Sequence, residues 1–280
     1  MCLICDLKSP DRFAGFSRRG FLLAGAAAAA SPALAQVEVG EASRLRGLVP
    51  ARELENSALK QYAQMTAGAR SKNALAPDAD PQLVRLRLIA QRLIPHCARW
   101  NERARQWRWE VNLIGSDQIN AFCMPGGKIA FLSGILEKLQ LSDDETAMVM
   151  GHEMAHALRE HARARIAKSQ GTGIGLSLLS AILGLGQLGD MAANVGTQLL
   201  TLKFSRSDET EADLVGLEIA ARAGFDPQAS VSLWQKMARA GGGNGPGFLS
   251  THPSGPDRIA QLQRNVPKVR GLYLQATGKK

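Results

Sequence analysis

Two histidines and a glutamate lie close together in the segment H-E-M-A-H at residues 152–156. If the segment is helical, His152 and His156 lie one turn apart on the same face. Two imidazoles placed in this way can bind one Zn²⁺ at about 2.0–2.1 Å. Glu153 is rotated by about 100° from His152, so it can take a proton from a water on the metal. The segment predicts a hydrolytic zinc site, with a chance match on an ordinary helix as the alternative.

A third ligand is expected, because catalytic zinc sites usually have three protein ligands and one open position. No third histidine follows at short spacing, and the candidates are the acids of S-R-S-D-E-T-E-A-D at residues 205–213. A helical wheel places Glu209 and Asp213 on a face of small residues, and Glu211 and Glu218 on the opposite face, toward solvent. We therefore expect Glu209 to bind the metal and Asp213 to hydrogen-bond a ligating histidine.

The elements that must position these residues can be read from the periodicity. Alternating apolar residues from Trp107 to Leu113 predict a half-buried strand. Two more strands are predicted at 118–124 and 128–132, separated by the turn Pro125-Gly126-Gly127. Ser142 with Glu145 forms a capping-box pattern, which starts a helix expected to run through His161.

The remaining pattern is mostly helical, which predicts an α+β fold with a small three-stranded sheet beside the helix of residues 152–156. The apolar segment 171–189 is interpreted as a lid or helical hairpin, with a membrane helix as the alternative. Residues 241–247 form a glycine-rich linker. Further helices are predicted over 41–70, 83–94, 208–222 and 227–240, with a last one starting near 256–264.

Several motifs together carry a family resemblance. H-E-M-A-H, E-T-E-A-D about fifty residues later, Thr251-His252-Pro253 and Asn120-Ala121-Phe122 resemble the HtpX-like and CAAX-prenyl-protease-like zinc endopeptidases, a branch of the gluzincins. The resemblance covers about residues 80–265. It implies a gluzincin-type peptidase domain in which Glu209 is the glutamate ligand and Asp213 the following aspartate.

The resemblance also implies two roles that spacing alone does not provide. His252 matches a histidine that either steadies the reacting carbonyl or blocks the zinc in a resting state. Asn120, Ala121 and Phe122 match the edge strand that pairs with the substrate backbone. An extended, unfolded substrate would add to this strand through main-chain hydrogen bonds.

The chain also departs from some members of that family. It shows no convincing set of transmembrane helices and no tandem-repeat helical domain after the peptidase motifs. We therefore expect a soluble or peripheral bacterial member: a zinc metalloendopeptidase that hydrolyses unfolded or misfolded cell-envelope proteins in quality control. The alternative is a chaperone-like envelope assembly factor with latent, His-capped protease activity. The oligomeric state is left open.

The amino terminus has the pattern of a targeting signal. Residues 17–23 read S-R-R-G-F-L-L, and an uncharged stretch to Leu34 ends in the cleavage-type sequence A-L-A at 33–35. The paired arginines resemble a twin-arginine export signal. We expect residues 1–35 to be removed and residues 36–280 to form one zinc peptidase domain in the periplasm. A buried helix or an uncleaved anchor is the alternative.

The remaining features carry less weight. The net charge of +9 is compatible with peripheral contact with anionic membranes. Arginines and tryptophans alternate between 99 and 109, but we interpret them as a basic face beside core tryptophans and expect no nucleic acid. Cys97 and Cys123 could form a disulfide in an oxidising compartment. His96 and His161 show no ligand pattern, and Arg206 is expected either to pair with an acid or to contact substrate.

Overall fold

A computed structural model describes residues 37–169, 202–240, 248–252 and 257–279. The α+β class is confirmed, because a small sheet is accompanied by helices. The expected export signal, the lid and the glycine-rich linker lie outside the described residues. The strands are β1 (Glu110–Ile114), β2 (Ala121–Met124) and β3 (Lys128–Leu132). The α-helices are α1 (Ala51–Ser71), α2 (Pro81–Leu93), α3 (Ser133–Leu139), α4 (Asp143–Leu158), α5 (His161–Lys168), α6 (Arg206–Arg222), α7 (Ala229–Ala240), α8 (Phe248–Thr251) and α9 (Arg258–Thr277).

The sheet has the order β1-β3-β2. β1 runs parallel to β3, with Glu110 opposite Lys128, and β2 runs antiparallel to β3, with Ala121 opposite Phe131. Within the described residues β2 therefore has a strand on one side only, and its other edge is free. The predicted turn between β2 and β3 is built on Gly126, which adopts a φ of 86° that favours glycine.

The first strand is shorter than its alternating pattern predicted. Trp107 and Trp109 lie outside β1 and contact each other with ring centroids 5.3 Å apart. Their indole N–H groups donate to the Glu55 carboxylate and to the Ala104 carbonyl. Both rings are half-buried against the core, so packing and hydrogen bonding here replace strand pairing.

Helix α4 begins where the sequence predicted and ends earlier. The Ser142 hydroxyl accepts from the Glu145 N–H, and the Glu145 carboxylate accepts from the Ser142 N–H, which completes the capping box. The prediction that this helix continues through His161 was wrong, because Glu160 adopts a left-handed φ of 58°. α5 starts again at His161, and the break changes the direction in which that histidine points.

Helices α4 and α6 cross at two glycines. A Cβ on Gly216 would lie 2.6 Å from the His152 nitrogen, and a Cβ on Gly151 would lie 2.9 Å from the Gly216 oxygen. Contacts this short are possible only without side chains. The crossing brings the helix that carries residues 152–156 against the helix that carries Glu209.

Gly216→Ala is expected to destabilise the fold, because the new methyl group meets backbone atoms that cannot move independently. We expect a loss of about 1–3 kcal/mol in the free energy of unfolding, as for an overpacked core, measured by urea denaturation. Gly68→Ala is the matched control, since Gly68 is an exposed helical glycine and a Cβ added there would meet no atom within 4 Å. It should be neutral or add about 0.4–1 kcal/mol. Equal midpoints for the two variants would contradict the close crossing.

Three further observations bear on the sequence predictions. Cys97 and Cys123 are free thiols, so the disulfide is not formed. Arg103 and Arg105 pair with Glu55 and Glu102. Over the described ranges, none of the helices has the length and apolar character needed to cross a membrane.

Candidate metal centre

Four side chains that could bind a metal meet where α4, α6 and α8 approach one another. His152 and His156 come from α4, Glu209 from α6, and His252 follows α8 directly. Each is at most 4% exposed. Burial of so many ionisable groups is costly unless they pair with one another or bind a metal. The buried cluster is therefore a candidate metal site.

The potential ligand atoms converge on one point. The Nε2 atoms of His152 and His156 are 3.1 Å apart. The carboxylate oxygens of Glu209 lie 3.5 Å from the former and 3.4 Å from the latter. His252 Nδ1 lies 3.3 Å from His152 Nε2 and 3.1 Å from a Glu209 oxygen.

These separations fit a tetrahedral zinc site. Ligands at about 2.0–2.1 Å from one ion, in tetrahedral geometry, lie about 3.3–3.4 Å from one another. The observed distances of 3.1 to 3.5 Å bracket that value. Imidazole nitrogens with one carboxylate are a donor set that suits zinc. The residues present therefore fit the metal that the sequence predicted.

Glu153 lies beside the cluster without joining it. Its side chain is buried, and its Oε1 atom has no hydrogen-bond partner among the described residues. The same Oε1 atom lies 3.5 Å from His252 Nε2, at ion-pair distance. Burial raises the pKa of this carboxyl above its ordinary value. A buried carboxylate with a free oxygen and a raised pKa is suited to accept and return a proton.

Asp213 lies one turn after Glu209 and contacts the far side of His152. Its Oδ1 atom is 3.0 Å from His152 Nδ1, the contact expected of a carboxylate that orients a ligating imidazole. Arg258 holds this carboxylate with two hydrogen bonds of 2.6 and 2.7 Å and also donates to Glu209 at 3.0 Å. Its guanidinium stacks on the Trp234 ring, 3.4 Å from the centroid.

Arg258 is a site residue that the sequence reasoning missed. It begins α9, and no local pattern distinguishes it from the other arginines of that helix. It is only 6% exposed, and it links the carboxylates of Glu209 and Asp213. Only the tertiary packing of α9 against α6 brings it there.

Two predictions about α6 were wrong. Glu211 and Glu218 were expected to face solvent, but the Glu211 side chain is 23% exposed and Glu218 is completely buried. Glu211 pairs with Arg159 and His161, and Glu218 accepts from the Val37 N–H. The helical wheel assigned one face of α6 to solvent, whereas the chain near Val37 covers that face.

Arg206, the first residue of α6, is exposed and forms no ion pair within the described part of the chain. The rim of the cluster contains Phe204, which also escaped the sequence analysis. Its ring stacks on His156 with centroids 4.0 Å apart, so it fixes the plane of that imidazole.

A cavity that is partly open to solvent lies beside the cluster. Glu153, His156 and His252 lie in its wall, and so does the edge strand β2. The three substrate-binding candidates, Asn120, Ala121 and Phe122, line the same cavity. Asn120 precedes β2, and its Oδ1 accepts from the Ala121 N–H at 3.0 Å. The free edge of the sheet and the potential metal ligands therefore share one cleft.

The charges of the cluster are strongly coupled. Burial opposes protonation of His152, but its hydrogen bonds to the Asp213 and Glu209 carboxylates outweigh burial and raise its pKa to about 9. Burial and the neighbouring imidazoles lower the pKa of His156. Burial opposes ionisation of Glu209, but three imidazoles lower its pKa far below the ordinary value. The carboxylate is therefore ionised, as a metal ligand must be.

Comparison with known proteins agrees with this geometry. The family model described as Peptidase family M48 matches residues 85–266. The mitochondrial metalloendopeptidase OMA1 of Schizosaccharomyces pombe is 39% identical over 58% of this chain and 48% of its own length. The Arabidopsis thaliana protein of the same name is 38% identical over 56% and 32%. The beta-barrel assembly-enhancing protease of Escherichia coli is 31% identical over 59% and 36%.

These relatives correct one prediction and limit what can be transferred. The periplasmic location is contradicted, because relatives at 38% and 39% identity are mitochondrial by name. Arginines occur in organelle presequences as well as in export signals, so the paired arginines of residues 1–35 did not discriminate between them. The chain spans about a third to a half of the length of these relatives.

Proposed function

Because the chain belongs to peptidase family M48, we propose that it is a zinc-dependent endopeptidase that cleaves unfolded or misfolded polypeptides. The observation that carries the proposal is the convergence of His152, His156 and Glu209 beside a buried Glu153 whose Oε1 forms no hydrogen bond among the described residues. The donor set, the proton acceptor and a cleft with a free strand edge lie together. The whole combination, rather than any single contact, is what peptide hydrolysis requires.

In this proposal His152, His156 and Glu209 hold the metal, and Asp213 orients His152. Zinc bound there would act as a Lewis acid, lowering the pKa of water and stabilising negative charge on the reacting carbonyl. Glu153 Oε1 accepts the proton of the attacking water and returns it to the leaving amine. Arg258 keeps Asp213 and Glu209 in place through its hydrogen bonds.

The substrate class follows from the sheet. An extended peptide can add to the free edge of β2 through main-chain hydrogen bonds, with Asn120, Ala121 and Phe122 alongside it. Main-chain pairing tolerates many side chains but needs an accessible, extended backbone. Folded proteins bury theirs, so unfolded segments are preferred. The expectation of cell-envelope substrates is dropped together with the periplasmic location.

The proposal is tested on residues 36–280 purified with zinc. Metal content is measured, and digestion of casein is compared with digestion of a stably folded protein, with and without a chelator. We expect chelator-sensitive internal cleavage of casein and little cleavage of the folded substrate. Zinc-free protein, or cleavage that survives removal of the metal, would contradict the mechanism.

A second candidate is favoured by the position of His252. Its Nδ1 atom lies 3.3 Å from His152 Nε2 and 3.1 Å from a Glu209 oxygen, which is the separation of neighbouring ligands around one ion. His252 can therefore fill the fourth tetrahedral position. Its ring stacks on Phe248 with centroids 4.4 Å apart, which holds it there. A protein with this position closed would be a latent protease, free to act mainly as an assembly factor until His252 moves.

His252→Ala is therefore expected to raise basal casein hydrolysis several-fold while the bound zinc is retained. His96→Ala is the control, since His96 lies in a short 3-10 helix and outside the cluster. Initial rates and zinc content are measured for both variants. A fall in rate would instead assign His252 to stabilising the reacting carbonyl, and an unchanged rate would make it structural.

A further inference from the structure

The imidazole of His156 is held from both ends. Its Nε2 atom faces His152 and Glu209, at 3.1 and 3.4 Å. Its Nδ1 atom faces away from the cluster and lies 2.9 Å from Nδ1 of His161. His161 is 4% exposed, and it occupies the first position of α5, immediately after the left-handed Glu160.

The direction of each hydrogen bond in this pair is determined by the metal site. A nitrogen that binds a metal carries no proton, so a ligating His156 Nε2 leaves the proton on Nδ1. His156 Nδ1–H must then donate, and His161 Nδ1 must accept. A neutral His161 that accepts at Nδ1 carries its own proton on Nε2. That atom lies 3.4 Å from the Glu211 carboxylate, an acceptor.

The hydrogen bonds that begin at His156 continue through His161 to Glu211, which is held in place by Arg159. Arg159 Nε donates to the same Glu211 oxygen at 2.8 Å. Arg159 also donates to the Gly40 carbonyl, and its side chain is 9% exposed. Glu211 belongs to α6, two residues after Glu209. The contacts therefore connect the last part of α4 with the helix that supplies the carboxylate ligand.

We propose that His161, anchored by Glu211 and Arg159, is a positioning residue that orients His156 for metal binding. Asp213 would orient His152 on the other side of the cluster, where its carboxylate contacts Nδ1 at 3.0 Å. The two histidines thus have different partners, a carboxylate for one and a neutral imidazole for the other. Phe204 fixes the ring plane of His156, and His161 fixes the rotation within that plane.

The proposal rests on the proposed metal centre, and its test measures zinc affinity by competition with a chromogenic chelator on folded protein. His161→Leu removes the acceptor and should weaken zinc binding about 10–100-fold, the loss typical when a ligand's hydrogen-bond partner is removed. His161→Asn should restore affinity to within about threefold of wild type, because its Oδ1 occupies nearly the position of Nδ1 and accepts the same hydrogen bond. Visible spectra of the cobalt-substituted proteins should shift for Leu and not for Asn.

Ile166→Ala is the matched control for a purely structural effect. Ile166 is on α5 and is buried, like His161, but it is not part of the metal cluster. It should lower the melting temperature and leave zinc affinity and the cobalt spectrum unchanged. The same pattern in His161→Leu would overturn the proposal. If His161→Leu does not fold, His161→Asn and Glu211→Gln still test the proposal. Glu211→Gln is expected to weaken zinc binding several-fold. Full zinc affinity in Glu211→Gln would show that Glu211 does not anchor His161.

Failure of this inference can be told apart from failure of the proposed function. Wild-type protein that binds no zinc would overturn the metal centre and the positioning role together. Wild-type protein that binds zinc only as tightly as His161→Leu does would overturn the positioning role alone.

Discussion

Replacing Glu153 with glutamine is expected to lower the turnover number for casein about 100- to 10,000-fold, the range of general acid–base catalysis, while zinc stays bound. Glutamine keeps the size of the side chain and loses the ability to accept a proton. Glu153 does not belong to the cluster of converging ligand atoms, so the metal keeps its ligands. The measurement pairs zinc content with the initial rate of internal cleavage.

The same substitution should not weaken the fold. Glu153 has a buried oxygen without a hydrogen-bond partner among the described residues, and burial raises its pKa. A buried carboxylate that forms no hydrogen bond costs more than a buried amide. We therefore expect the melting temperature of Glu153→Gln to be equal to or higher than that of the wild type.

Glu145→Gln is the matched control for this prediction. Glu145 is a buried carboxylate on the same helix, but it pairs with Lys236 and closes the capping box with Ser142. Its substitution should lower stability and leave the turnover number of the folded enzyme unchanged. If Glu153→Gln cleaves at the wild-type rate, another group accepts the proton and the mechanism proposed for Glu153 is wrong.

Local sequence signals predict the elements that position the site. The capping box at Ser142 starts α4 where the sequence predicted, and Pro125-Gly126-Gly127 forms the turn that places β2 beside β3. A second capping box, at Ser205, starts α6 at Arg206, two residues before the start that the sequence predicted. Each of these signals acts over a few residues and needs no partner from elsewhere in the chain. The early end of α4 was missed, because a left-handed Glu160 is not visible in residue types: glutamate rarely adopts it.

The convergence of the candidate ligands was predictable where a pattern lies within one helix. His152, Glu153 and His156 are linked by spacing alone, and Glu209 by the small residues on its face. Contacts made across the fold were not predictable in that way. Arg258 reaches Asp213 from 45 positions further along the chain, and no motif marks either partner for the other.

The solvated face assigned to α6 failed for a related reason. A helical wheel gives the angles between side chains but does not say which sides are covered. The Val37 N–H, 181 positions earlier in the chain, donates to Glu218, and Arg159 links Gly40 to Glu211. The helix is therefore covered on the side that the wheel assigned to water, and buried glutamates there are paired.

Alanine substitutions of three glutamates of α6 should consequently weaken zinc binding to different extents, most at Glu209, less at Glu211 and not at all at Glu218. Glu209→Ala removes a predicted ligand, and it should weaken zinc binding by far more than the roughly 10–100-fold lost with a ligand's hydrogen-bond partner. Glu211→Ala removes only the anchor of His161 and should cost several-fold. Glu218→Ala should leave zinc affinity unchanged, because Glu218 pairs with Arg222, accepts from the Val37 N–H and does not belong to the cluster of converging ligand atoms.

Stability separates these effects from zinc binding. Glu218 is completely buried and forms an ion pair with Arg222. Removing one partner of a buried ion pair typically costs about 3–5 kcal/mol in the free energy of unfolding, and we expect a loss of this order for Glu218→Ala. Glu209→Ala should lose the thermal stabilisation that added zinc gives the wild type, since metal binding is coupled to folding. Chelator titration and melting curves with and without zinc are recorded for all three variants. Glu209 is the expected ligand because, among these three acids, only its oxygens lie within 3.5 Å of the Nε2 atoms of both His152 and His156. If Glu218→Ala lost zinc while Glu209→Ala retained it, the carboxylate ligand would not be Glu209 and the metal centre would have to be reassigned.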